Sequence, residues 1–171
     1  MTEHPVTLQE LLDSRENRVQ KQQTLLLRYD GVLVSVTLNI PGPVKDKPAY
    51  RKALKMGMRL LTERFSAEKI LYQEERFLKT GAEGYMVIGE MAAEEVKALT
   101  VAIEDTTPLG RLFDMDVLTK DGGISRAELG MPGRHCLLCG EEAKVCARSQ
   151  RHSVEKLLAE IDGILERTFN K

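Results

Sequence analysis

Ten consecutive residues, GVLVSVTLNI at positions 31–40, leave the chain little conformational choice. Five of them are Val, Ile or Thr, whose branched side chains favour a pleated backbone, and the run has no helical period. It reads as a buried strand. It must end at the PGP of positions 41–43, because proline offers no N–H to a ladder. A strand buried in this way needs partners on its edges and layers on its faces, so the rest of the chain is read for what can supply them.

Upstream, Thr7 and Glu10 fit a capping box, and Leu8, Leu11, Leu12 and Val19 follow at mostly helical spacing, predicting a helix over 7–28 with a very polar middle, SRENR. Downstream, a helix is expected over 49–65, with Leu54, Met58, Leu61 and Phe65 on one stripe and Arg51, Lys55 and Arg59 on another. Strands are expected at 69–79 and 85–89 around a turn holding Gly81 and Gly84. A short helix over 92–98, strands at 99–104 and 111–119 joined by TTPLG, and a helix over 153–169 complete the reading. The expected class is α+β, a mostly antiparallel sheet with helices on one side, in a single domain over 1–171. Residues 134–152 form a Cys/His-rich segment before the last helix.

Lysine and arginine total 25 against 26 aspartate and glutamate, so wholesale nucleic-acid or membrane binding is not expected and any polyanion must meet a local patch. No apolar run approaches the roughly 20 residues that span a bilayer. The opening MTEHPVTLQELL lacks the pattern of a secretory signal, and three clustered cysteines argue against a disulfide framework. A reduced, cytoplasmic setting is the expectation.

Three segments carry chemistry. In GRLFDMDVL, positions 110–118, a strand projects Asp114 and Asp116 to one side while Phe113, Met115 and Val117 face the other. Two neighbouring carboxylates repel each other unless a cation joins them, and Mg²⁺ bound by a few carboxylates and substrate phosphates suits phosphoryl or nucleotidyl transfer. Glu104, read on the preceding strand, is a candidate third ligand or base. The alternative is that the pair lines the solvated face of an edge strand. Second, six basic residues and one acidic residue lie between Pro41 and Leu60, around a glycine-containing loop that opens a helix. Lys45, Lys47 and Arg51 there, with Arg111 and Arg126 elsewhere, are phosphate-binding candidates; a solvated basic face is the alternative. Third, Cys136 and Cys139 form C-x₂-C, followed by Cys146 and His152, a set able to hold a structural Zn²⁺ or simply to pack as reduced thiols.

The blocks TLNIPGPVKD, PLGRLFDMDVL, ISRAELG and RHCLLCGEEAKVCARSQRHS, in that order, resemble the holo-acyl-carrier-protein synthase family of citrate lyase, also called apo-citrate lyase phosphoribosyl-dephospho-CoA transferase. The resemblance runs from LLDSRENR to the final helix. It implies a nucleotidyltransferase-like fold and a reaction in which a serine of the lyase's acyl carrier protein attacks 2'-(5''-triphosphoribosyl)-3'-dephospho-CoA and releases diphosphate. It also implies that Asp114 and Asp116 are the metal-binding pair. The Gly-Ser or Gly-Gly loop that many nucleotidyltransferases carry before their paired acids is replaced here by PLGR. The related reaction on a malonate decarboxylase carrier, and a non-catalytic zinc-stapled module that binds the lyase carrier, are the alternative readings. In the transferase reading the cysteine-rich tail is expected to pin the last helix and to position Arg134, Arg148 or Arg151 near the phosphates.

Overall fold

The computed structural model describes residues 3–170. The buried run forms β1 (Val32–Leu38), the central strand of a five-stranded antiparallel sheet. Its neighbours are β2 (Ile70–Leu78), β3 (Gly81–Ile88), β4 (Phe113–Thr119) and the short β5 (Gly122–Ile124), in the order β2-β3-β1-β4-β5. The helices are α1 (Leu8–Arg28), α2 (Pro48–Thr62), α3 (Ala93–Thr106), α4 (Ala143–Ser149) and α5 (Val154–Phe169).

One face of the sheet carries the main core. Val34 and Val36 of β1, Met86 and Ile88 of β3, and Met115 and Val117 of β4 meet Leu54, Met58 and Leu61 of α2 and Ile161, Ile164 and Leu165 of α5. Each such side chain contributes about 1.5–3 kcal/mol on burial, so this layer holds the fold. Helix α2 comes very close: a Cβ on Gly57 would lie 2.8 Å from the Phe113 ring and one on Gly84 would lie 2.4 Å from the Met58 sulfur.

Four expectations need correction. The helices do not share one side, because α1 crosses the opposite face, where Leu25 packs with Leu33, Tyr85 and Val87. Leu8, Leu12 and Val19 of α1 are exposed, so the apolar stripe read along it is not its buried face. Residues 99–104 are helical, continuing α3: buried Val96, Lys97, Thr100, Val101, Ile103 and Glu104 keep a 3.6-residue period, which overrides the β-branched composition of LTVAI. The turn after β2 is at Lys79–Thr80, and Gly84 lies inside β3, where its missing side chain admits Met58. The hairpin to β5 and the short α4 were not expected; Gly122, at φ +123°, supplies the backbone that the first allows.

Candidate active site and a cysteine-histidine knuckle

Beyond the cluster that Leu25 forms with Leu33 and Val87, the face of the sheet under α1 is polar. The register sets Glu83 of β3, Thr37 of β1 and Asp114 of β4 in one cross-strand row, and Tyr85, Ser35 and Asp116 in the next. Period-2 alternation puts all six on the side away from the core. Helix α1 answers with a polar stripe at positions 14, 18, 21 and 22. Ser14 bonds the Thr80 hydroxyl at 2.9 Å, Arg18 Nε donates to Glu83 at 3.1 Å, Lys21 Nζ donates to the Tyr72 hydroxyl at 3.0 Å, and Gln22 donates to the Ser35 hydroxyl at 3.0 Å. The Tyr85 hydroxyl also donates to Glu83 at 2.7 Å. Burial, then the Glu83 charge, holds the Tyr85 phenol well above its ordinary range. The polar middle of α1 is thus the inner face of a strap, and Glu83, although buried, is fully partnered.

Asp114 and Asp116 project together from β4, as their spacing predicts, and both are exposed. Neither forms an ion pair or hydrogen bond with another described residue. Although the residue as a whole is exposed, partial desolvation of its carboxyl, followed by the charge of Asp114, pushes Asp116 above its ordinary range. Two unpartnered carboxylates side by side fit a hard divalent cation. Asp114 also lines a cavity of about 220 Å³ with Arg15, Arg18, Thr37, Asn39, Lys45 and Glu83. Lys45 donates to the Ile40 carbonyl, and burial and then nearby Arg15 lower its pKa. The sheet face is therefore acidic at its centre and cationic at its rim.

The other basic candidates lie elsewhere. Lys47 pairs with Glu3 at 2.9 Å; Arg51 holds Asp46 at 2.7 and 2.5 Å and stacks over Phe77. Arg126 Nη2 pairs with Glu104 at 2.5 Å and Asp105 at 3.0 Å. Arg111 donates to the His135 carbonyl. Arg134 donates to the carbonyls of Gly110 and Arg111 at 3.2 and 2.9 Å, while Arg148 and Arg151 are exposed.

Glu104 comes from α3, not from a strand, and faces the edge of β4. β5 covers β4 only from Val117 onward, leaving Met115 without a strand on that side. Glu104 accepts the Met115 N–H at 2.9 Å and buried Lys97 donates to the Met115 carbonyl at 3.2 Å, so two side chains replace the missing strand. Glu104 and the aspartate pair do not converge as a set of metal donors.

Cys136, Cys139, Cys146 and His152 do converge, with donor atoms all within 4.8 Å of one another. Cys139 Sγ lies 3.4 Å from both Cys146 Sγ and His152 Nε2. Ligand edges in a tetrahedral zinc site are about 3.5–3.8 Å, given bonds of about 2.0–2.3 Å. The C-x₂-C pair sits on a turn closed by Cys136 N–H to the Glu141 carbonyl, 2.7 Å. Helix α4 carries Cys146, and Gln150 at φ +47° ends it so that the chain turns back to deliver His152. The four residues can hold a metal.

Sequence reasoning missed Arg15, Arg18, Glu83 and Lys97. The available signal was polar residues of matching parity inside apolar strands, Ser35 and Thr37 in one and Glu83 in the other. A profile of the family described as apo-citrate lyase phosphoribosyl-dephospho-CoA transferase matches residues 6–168. A protein of Streptococcus pyogenes serotype M18, described as "Probable apo-citrate lyase phosphoribosyl-dephospho-CoA transferase", is 39% identical over 97% of this chain and 88% of its own length. One of the same description from Vibrio cholerae serotype O1 (strain M66-2) is 42% identical over 95% of this chain and 94% of its own length. With a match that takes in both the aspartate face and the knuckle, the chain belongs to the apo-citrate lyase phosphoribosyl-dephospho-CoA transferase family.

Proposed function

We propose that the protein transfers the 2'-(5''-phosphoribosyl)-3'-dephospho-CoA group from its triphosphoribosyl precursor to a serine of the citrate lyase acyl carrier protein, by a nucleotidyltransferase-type displacement. The serine oxygen bonds to the phosphorus nearest the ribose, the bond from that phosphorus to the diphosphate oxygen breaks, and the hydroxyl proton is lost as diphosphate leaves. One observation carries this reading: Asp114 and Asp116 project side by side from β4 without an ion pair, and Asp114 lines a cavity whose rim holds Arg15, Arg18 and Lys45. The aspartates would hold Mg²⁺, which supplies neutralisation of polyphosphate charge. The rim cations would bind the phosphates that depart, and Arg18 is oriented for this by Glu83. Cys136, Cys139, Cys146 and His152 would hold Zn²⁺ in a closed, structural site.

The test incubates apo carrier protein with the triphosphoribosyl donor and Mg²⁺ and follows the mass of the carrier. Wild type should modify it, and Asp114→Ala and Asp116→Ala should each slow transfer by at least about a hundredfold. Unmodified carrier with wild type would overturn the activity; full rates in both variants would overturn the metal pair.

A further inference from the structure

A second cavity, of about 580 Å³, opens between the knuckle, α4, the start of α5 and the 3-10 turn Leu109–Leu112 that leads into β4. Leu112, Leu137, Val154, Leu157 and Ile161 give it an apolar wall. Arg111 and Arg134 also line it, and neither guanidinium meets a carboxylate among the described residues; both bond only backbone carbonyls. Two uncompensated guanidiniums beside an apolar wall, in a space of this size, suit an organic ligand that carries phosphate next to a long, weakly polar arm. Asn39, just past β1, lines both this cavity and the one beside Asp114, so the two are neighbours across that residue. The protein thus offers two cationic clusters, Arg15, Arg18 and Lys45 on one side of Asn39 and Arg111 and Arg134 on the other.

We propose that the larger cavity holds the dephospho-CoA arm of the donor, with its diphosphate against Arg111 and Arg134 and its pantetheine chain along the apolar wall. The triphosphoribosyl end then passes Asn39 to reach Asp114. The inference rests on the transferase reading above and extends it. The donor has two separate anionic groups, and the two clusters match them. Cys136, Cys146 and His152 supply part of the cavity wall, which gives the knuckle a role in substrate binding as well as in folding.

The experiment measures binding of dephospho-CoA itself by calorimetry, without added Mg²⁺, to wild type, Ala147→Trp, Arg111→Gln and Asp114→Asn. Ala147 lines the cavity and is exposed, so a tryptophan there fills the space without entering the main core. Thermal unfolding of each variant checks the fold. Wild type should bind; Ala147→Trp and Arg111→Gln should each weaken binding about tenfold or more, and Asp114→Asn should leave it within about twofold. No binding to wild type, undiminished binding to both cavity variants, or loss in Asp114→Asn alone would overturn the proposal. Loss of carrier binding in Ala147→Trp with dephospho-CoA binding intact would assign the cavity to the carrier and equally overturn it. The transfer assay run alongside separates the two readings. Transfer by wild type with cavity-independent dephospho-CoA binding sinks this inference alone. Cavity-dependent binding without transfer sinks the activity while leaving a dephospho-CoA site.

Discussion

Replacing Glu104 by alanine deletes the acceptor of the Met115 N–H and one of the two carboxylates held by Arg126. Glu104 is 3% exposed, so the amide has no water to turn to, and an unsatisfied buried donor costs about 1–3 kcal/mol. Leaving a buried cation fully uncompensated costs about 3–5 kcal/mol, but Arg126 keeps Asp105 at 3.0 Å, so only part of that applies. The sum is about 3 kcal/mol. For a chain of this length it corresponds to a Tm lower by about 6–12 °C. Glutamine keeps the acceptor and loses only the charge, so Glu104→Gln should lower Tm by about 2–4 °C and retain most of its transferase activity. Differential scanning calorimetry with the carrier-mass assay reads both quantities. A normally stable Glu104→Gln variant with transfer reduced a hundredfold would refute the reasoning and put Glu104 at the reacting centre. So would a Glu104→Ala variant that melts within about 2 °C of wild type.

A carboxyl whose pKa is raised by folding favours the folded state below its unfolded pKa, and that contribution disappears as pH rises through the folded value. For Asp116 the loss therefore begins as pH climbs past about 3.8. Without added Mg²⁺, Asp116→Asn should be the more stable protein at pH 7, with the advantage shrinking at pH 4; an equal Tm difference at both values would contradict it. Purified protein should contain close to one zinc per chain by elemental analysis, and Cys139→Ser should lose it and become sensitive to proteolysis within 134–152. Zinc-free wild type with a protease-resistant tail would show instead that the thiols pack as reduced cysteines.

Much of the site was legible because β-strands impose a strict period of two. Once FDMDV is a strand, Asp114 and Asp116 must share a side, whatever else the fold does. C-x₂-C likewise announces two donors at one turn. The errors arose where local composition and tertiary packing disagree. LTVAIE carries strand-forming residues, yet it continues a helix because Val96, Thr100 and Ile103 bury on one face. The exposed leucines of α1 suggested a core stripe, while its inner face is polar from Ser14 to Gln22, over the polar end of the sheet, and apolar at Leu25.

The sequence alone determined the strand at the centre, the side on which the aspartates stand, the capping box at Thr7 and the presence of four soft-metal donors. These depend on the backbone period and on contacts within a few residues. Tertiary structure alone decided that Arg18 meets Glu83 across 65 positions, that Glu104 seals the edge of β4, and that one asparagine borders two cavities. Such pairings arise where a helix docks on a sheet, and the docking is set by summed apolar burial over the whole chain, which no short window of residues contains.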